Sequence, residues 1–265
     1  PRWLSQLIFS KKVSNYFQSQ QIEQHTIIHS HERTANHHVT TFHGPPFLNR
    51  KERLFDFLSP RIKTWTYLEK RELLGPQVAA ILPNSVLIAE QLRSLYPSSK
   101  EKILAPAYPG VSETYANIKR NSKGLTIGFI GREWKRKGLD YACKIFKSLL
   151  QQIPTAHFLI AGCEAEGVKE LLKELPHENF TLLGWTSTES FLGKIDLLLH
   201  PARAEPFGMV IAEANAAGIP VVISNQCGIA NMISSDMGYV CNLGDVKVNS
   251  LNVTPWVDAC TDLLS

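Results

Sequence analysis

The sequence predicts an α/β protein built from two tandem, doubly wound parallel sheets. Two observations predict it. Short apolar runs alternate with segments of helical spacing along the chain, the pattern of parallel strands joined by crossing helices. The alternation pauses over A-P-A-Y-P-G-V-S-E-T-Y-A-N-I-K-R-N-S-K-G, residues 105–124, and then restarts. A domain boundary is therefore read near Arg120, giving domains 1–120 and 121–265. At 265 residues the chain has room for two domains of about 100–150 residues each. A composition of 44% hydrophobic and 20% charged residues is that of an ordinary soluble globular protein.

In the first domain, Trp3, Leu4, Leu7, Ile8, Val13, Tyr16 and Phe17 fall at helical spacing within residues 2–20. They read as an amphipathic helix packed on a sheet or, with Lys11 and Lys12, lying on a membrane surface. Strands are read at 25–29 and 39–43, the second stopped by Gly44-Pro45-Pro46. A long helical region, 47–74, breaks at Pro60; a strand at 79–82, a helix at 86–95 and a strand at 102–104 follow. Asn84 and Ser85 sit at a strand end, where they serve equally as site residues or as the N-cap of the next helix.

The second domain repeats the pattern: strand 125–130, helix 137–150, strand 157–161, helix 165–174, strand 180–183 and short helix 188–192. The stretch 195–222 then organises the chain. An apolar strand, 195–199, leads into a loop carrying Arg203 and Glu205. Pro206-Phe207-Gly208 opens a helix, 209–217, which Gly218 stops before another buried strand. In an open α/β sheet, ligands bind at the carboxyl ends of the strands. The free N–H groups and positive dipole end of that helix start make an anion site. Glu205, facing such a helix start, suits ligand hydroxyls better than phosphate. A second loop, G-R-E-W-K-R-K-G from Gly131 to Gly138, follows a strand of the same sheet, so its cations and the helix N–H groups can converge on a diphosphate. It is neither a P-loop nor a G-x-G-x-x-G fingerprint. Two doubly wound domains in tandem also imply a reaction cleft between them.

Charge and cysteines bound the setting. Residues 1–120 carry 16 Lys and Arg against 9 Asp and Glu, while 121–265 carry 12 against 15. The basic excess (Lys11, Lys12, Arg50, Lys51, Arg53, Arg61, Lys63, Lys70, Arg71) reads as solvated helix faces or as attraction to anionic lipid or an acidic acceptor. The five cysteines are scattered and never in C-x-x-C spacing, which favours buried thiols in a reducing cytoplasm. No run of 18 apolar residues and no leader pattern occurs, so neither a membrane span nor secretion is indicated. His29, His31, His37, His38 and His43 with Glu32 invite a metal reading, but H-E-x-x-H is absent because position 35 is Ala.

The order G-R…R-K-G, L-G-W-T-S, then D-L-L-L-H-P-A-R-A-E-P-F-G-M-V-I-A-E-A-N-A-A-G-I-P-V-V resembles the retaining nucleotide-sugar glycosyltransferases of family 4. Their fold is GT-B, two Rossmann-like domains. The E-x7-E pair, Glu205 and Glu213, is the hallmark, set here between a strand ending in H-P and a helix ending in G-I-P-V-V. I-I-H-S-H-E, T-T-F-H-G, I-L-P-N-S-V-L-I-A-E-Q-L and Y-P-G-V-S-E extend the resemblance through the first half. The R-K-G loop is most similar to the lipopolysaccharide-core sugar transferases.

The resemblance implies a metal-independent retaining hexosyltransferase using a UDP- or GDP-linked sugar and a glycan or lipid-linked glycan acceptor. Arg132 and Lys137 match the basic pair on the donor diphosphate, with Gly131 at the strand end beneath them. Glu205 matches the carboxylate on sugar hydroxyls, the N–H groups of Phe207, Gly208, Met209 and Val210 meet sugar or phosphate oxygens, and Glu213 takes the ribose. His43 matches the histidine beside the anomeric carbon, and His29, His31 and Glu32 line the acceptor side. No cofactor, metal or nucleic acid is expected, and the setting implied is cytoplasmic, with peripheral contact at an anionic inner membrane face. Against the family pattern, the first strand and glycine-rich loop of the acceptor domain and the long C-terminal helices are missing, so that domain reads as partial. Cys227-Gly228-Ile229-Ala230-Asn231 stands where G-G-x-x-E is usual. The rival reading is a non-catalytic or truncated nucleotide-sugar-binding module.

Overall fold

The computed structural model describes all residues except 21, 22, 24, 50–57, 123 and 245–250. The chain divides into two units, Pro1–Pro109 and Gly110–Ser265. The division falls ahead of Arg120 because part of the linker folds with the second unit. Tyr115 and Ile118 pack on that unit's core, and the Asn121 N–H bonds the Gly193 carbonyl at 2.7 Å.

The first unit holds α1 (Arg2–Ser19), β1 (His29–Ser30), β2 (Val39–Phe42), α2 (Pro60–Leu74), β3 (Ala80–Pro83) and α3 (Val86–Leu95). The three strands are parallel in the order β1-β2-β3. Phe42, Leu73, Val78, Ile81, Ile88 and Leu92 form the core, each contributing about 1.5–3 kcal/mol on burial. Pro60 opens α2 at its first position, where its missing N–H costs nothing. Ser85 caps α3, its hydroxyl accepting from the Ile88 N–H at 3.2 Å.

Several expectations are corrected here. The strand read at 25–29 shortens to His29–Ser30, because the Ile28 N–H bonds the His38 ring instead of a neighbouring strand and Ile27 is 73% exposed. The strand at 102–104 shrinks to a single bridge between Ile81 and Ile103. Helix α1 packs on α2 rather than on the sheet, burying Ser10 while Leu4, Ile8, Phe9 and Tyr16 stay exposed. Arg71 of α2 donates to Ser14 at 3.2 Å across that contact. The long helical region starts as a 3-10 turn, Phe47–Asn49; its residues 50–57, with Arg50, Lys51 and Arg53, lie outside the described residues.

The second unit runs β4 (Thr126–Ile130), α4 (Trp134–Lys137), α5 (Leu139–Leu149), β5 (His157–Ala161), α6 (Ala165–Leu172), β6 (Phe180–Leu182), α7 (Thr188–Leu192), β7 (Leu197–His200), α8 (Met209–Ala216), β8 (Val221–Ser224), β9 (Gly238–Cys241) and α9 (Thr254–Leu264). Six parallel strands lie in the order β6-β5-β4-β7-β8-β9. The central strands β7 and β8 are buried throughout, as strands covered on both faces require. One face packs Phe129, Phe146, Phe158 and Trp256; the other packs Phe191, Ile195, Leu198 and Ile211. Sequence reading missed β9 and α9. The apolar run of β9, Tyr239 to Cys241, is only three residues long, and Tyr239 and Val240 are exposed. The helix read at 137–150 is α5, and a further short helix, α4, precedes it, the two parted by Gly138 at φ +79°.

All five cysteines are free and buried; burial pushes Cys143 and Cys227 up to about 12, which keeps them protonated. Among the described residues no helix is long and apolar enough to cross a membrane.

Candidate functional site

Strand order reverses between β4 and β7, and the crevice outside their carboxyl ends is where such a sheet binds ligands. Two loops meet there. After β4, Gly131 is buried beneath the Lys137 side chain, and any Cβ at Gly131 would overlap it. Gly138 lies against the Pro201 carbonyl that follows β7, too close for a side chain. Arg203 fastens the loops together. It grips Asp140 with both guanidinium arms at 2.7 and 2.5 Å, donates to the Lys135 carbonyl at 2.7 Å, and covers the Tyr141 ring at 3.8 Å. Its N–H also bonds the Arg136 carbonyl at 2.8 Å.

This clamp presents Glu205. Its backbone pairs with the loop after β8: the Glu205 N–H bonds the Gln226 carbonyl at 3.0 Å, and the Gly228 N–H bonds the Glu205 carbonyl at 2.8 Å. Cys227, in the segment that departs from the family pattern, thus forms a single parallel bridge that braces Glu205. The carboxylate, 11% exposed, has Oε2 at 3.3 Å from Arg136 Nη1, 3.6 Å from Lys137 Nζ and 3.6 Å from His200 Nε2. Burial alone would raise its pKa; His200, Lys137 and Arg136 outweigh burial and hold it at about 2. His200 is wholly buried, stacked 6.3 Å from Phe129, and burial lowers its pKa despite Glu205. The Glu205 carboxylate is therefore an anion across the physiological range beside a neutral imidazole.

Gly208 turns the chain into α8 at φ +108°, and a Cβ there would stand 2.7 Å from Ile211 Cδ1. The N–H groups of Met209 and Val210, in the first turn of α8, have no acceptor within the helix. Phe207 is buried, and its carbonyl accepts from the Ile229 N–H at 2.9 Å. Glu213 sits one turn further along α8. Burial raises its pKa, the Tyr115 hydroxyl and Lys137 oppose that, and Glu189 adds to it.

The structure brings Gly131, Lys137, Glu205, Phe207, Gly208, Met209 and Val210 to the switch point. It places Arg132 apart from the Glu205 cluster, exposed on a cavity of about 810 Å³ shared with Trp134, Glu164 and Trp185. Sequence reading named Lys137 and missed Arg136 and His200 as its companions. The signals were the K-R-K-G run, Lys135 to Gly138, and the H-P strand end, but neither says which cation turns inward. Arg136 does so because its Nη1 is bound to the Ala204 carbonyl at 2.5 Å.

In the first unit, three histidines stack at the carboxyl edge of the sheet. His29 Nε2 bonds Thr41 Oγ1 at 2.7 Å, and His31 Nδ1 bonds His43 Nε2 at 2.9 Å. The rings stand 4.6 and 5.1 Å apart. Burial, then His31, lowers the pKa of His43. Glu32 accepts from Gln6 at 3.0 Å and lines, with His31, His43, Arg33 and Trp65, a cavity of about 370 Å³. Among the described residues no three His, Cys, Asp or Glu side chains are grouped to hold a metal ion.

Residues 112–253 match the family described as glycosyl transferases group 1. The chain belongs to that family. It is 25% identical over 246 residues to an uncharacterized 41.2 kDa protein in the cps region of Klebsiella pneumoniae, covering 83% of this chain and 66% of that protein. It is 26% identical over 198 residues to the UDP-Gal:alpha-D-GlcNAc-diphosphoundecaprenol alpha-1,3-galactosyltransferase of Escherichia coli, covering 69% and 46%. Among solved structures, WaaG, a glycosyltransferase involved in lipopolysaccharide biosynthesis, superposes with a TM-score of 0.72 at 18% identity over 95% of this chain and 71% of that one. Anabaena Alr3699/HepE, solved with UDP and glucose, superposes with a TM-score of 0.59 at 18% identity, over 85% and 63%. The family and the GT-B fold class read from the sequence are borne out. The chain spans 66%, 37% and 46% of the first three curated relatives.

Proposed function

We propose that this group 1 transferase binds a nucleotide-sugar at the β4/β7 switch point and transfers its hexose, with retention, to a glycan or lipid-linked glycan. The observation that carries this reading is Glu205: a permanently ionised acceptor of hydroxyl hydrogen bonds, fixed between two cations at the start of a helix. Lys137, with Arg132 of the same loop, meets the diphosphate. The N–H groups of Met209 and Val210 and the positive end of α8 meet its oxygens or those of the sugar. Glu213 takes the ribose hydroxyls. As the bond from the anomeric carbon to the diphosphate oxygen breaks, fixed cations stabilise the growing negative charge without a metal. The departing phosphate takes the acceptor hydroxyl's proton on the same face, and that oxygen bonds the anomeric carbon. His43, His31, His29 and Glu32 serve the acceptor, His43 as a neutral group.

Calorimetry with UDP and GDP, run beside a transfer assay on the full-length protein, tests this. Wild type should bind and transfer, and Glu205→Ala and Lys137→Ala should each cut transfer by about 10²–10³-fold. Transfer untouched by both changes would sink the assignment; binding without transfer would mark a nucleotide-binding module instead.

The same protein is proposed to touch an anionic membrane face from the cytoplasm through α1, whose exposed Leu4, Ile8, Phe9 and Tyr16 accompany Lys11 and Lys12. Flotation with anionic liposomes should show binding that weakens with salt; salt-insensitive or absent binding argues against it.

A further inference from the structure

Beside the switch point, the cavity of about 810 Å³ opens over the carboxyl ends of β4, β5 and β6. Its wall is mostly apolar and carries two indoles, Trp134 and Trp185, the latter 76% exposed. A large aromatic ring left open to solvent at a cavity mouth is a stacking surface for a planar ligand. Trp134 is steadied by Lys135, whose Nζ lies 5.1 Å from its ring.

Two charged side chains line the cavity unspent. Arg132 makes no ion pair or hydrogen bond with the described residues, although six other cations of this unit form ion pairs and two more lie over aromatic rings. Glu164 stands at the N-cap of α6, yet its carboxylate makes no capping bond and has no cationic partner among the described residues. A free cation and a free anion on one apolar cavity match a planar ligand that carries phosphate at one end and N–H donors at the other.

We infer that this cavity selects a guanine nucleotide, with Glu164 as the residue that reads the base. The inference rests on the proposed donor site and deepens it by naming the nucleoside. Only guanine offers a carboxylate two adjacent donors, N1–H and the 2-amino group, for a paired, charge-assisted contact. Uracil presents one N–H flanked by two carbonyl oxygens, which a carboxylate repels. Adenine and cytosine each place a ring-nitrogen acceptor beside their amino group, with the same result. Trp185 supplies stacking that any base accepts, and Arg132 holds the phosphate, so the choice among bases falls to Glu164.

Calorimetry of the full-length protein with GDP, IDP and UDP tests this. GDP should bind at least about tenfold more tightly than UDP, and IDP, which lacks the 2-amino group, should fall between them. Glu164→Gln should remove most of the GDP preference while leaving UDP affinity within about twofold. This exposed side chain supports no packing, and an unchanged melting temperature would verify that. UDP binding as tightly as GDP, IDP matching GDP, or a GDP preference that survives Glu164→Gln would each overturn the inference and leave the donor site standing. Binding of no nucleotide would instead overturn the donor site itself.

Discussion

Glu205 in the second unit and Glu72 in the first are both buried carboxyls, and they end at opposite extremes. Glu72 is pushed up to about 7, chiefly by burial, with Arg33 and the Thr40 hydroxyl opposing and Glu69 and Glu32 adding to the rise. Glu205 is held at about 2 although burial acts on it in the same direction. The difference is the balance of charge around each. Arg33 is shared between Glu69 at 3.0 Å and Glu72 at 3.7 Å, so one cation serves two carboxyls. Arg136 and Lys137 both face one carboxylate. Glu69 is spent on structure, accepting from the Phe47 N–H at 2.7 Å and the Tyr96 hydroxyl at 2.7 Å. Glu205 keeps capacity for a ligand. Burial does not distinguish a structural carboxyl from a binding one; the count of cations and the bonds already made do.

The comparison can be broken most strongly at Glu72. Its folded pKa lies above the unfolded 4.5, so the folded state holds the extra proton. Stability is therefore full below pH 4.5 and falls as pH rises through about 7, a loss on the order of 3 kcal/mol. Glu72→Gln should flatten that slope, read as hydrogen exchange of β2 and α2 amides corrected for intrinsic rates. A slope equal to wild type would mean that Glu72 does not titrate there. For Glu205 the sign reverses: its stabilising effect is present above pH 4.5 and is lost as pH falls toward 2.

Gly208→Ala attacks the same carboxylate from the backbone. The left-handed turn and the clash with Ile211 should cost about 1–3 kcal/mol and weaken nucleotide binding together with the melting temperature. Lys137→Met sharpens the contrast directly: the Glu205 pKa should rise by roughly one unit, followed by carboxyl-carbon NMR. A value still near 2 would assign the control to Arg136 and His200. The smallest effect is expected from Arg203→Ala, about 1 kcal/mol, because its Asp140 pair is partly solvated. Its diagnostic is a looser Glu205 loop, seen as faster exchange of the Arg203 and Glu205 amides.

Much of this was legible beforehand. The strands β4, β5, β7 and β8 are apolar runs between turn residues, and α3, α7 and α8 carry their own stop signals. The Glu205 loop stood out because a carboxylate, a Pro-Phe-Gly turn and a helix start occur in one stretch. The histidine stack was visible as H-x-H and T-F-H, but the His31–His43 hydrogen bond was not. Where local pattern is weak, reading failed: the apolar run of β9 is only three residues long, and the strand at 102–104 lacks a full ladder of partners.

By itself the sequence determined the parallel α/β class, the switch-point loops and the identity of the central carboxylate, because these rest on periodicity and on residues adjacent in the chain. Only the tertiary structure decided that Arg136, not Arg132, pairs with Glu205, that His200 lies beneath it, and that Arg203 is a clamp. The first and last of these depend on contacts across more than sixty positions of chain, such as Arg136 with Ala204 and Arg203 with Asp140. Local spacing carries no information about which of four neighbouring basic side chains will find the carbonyl that turns it inward.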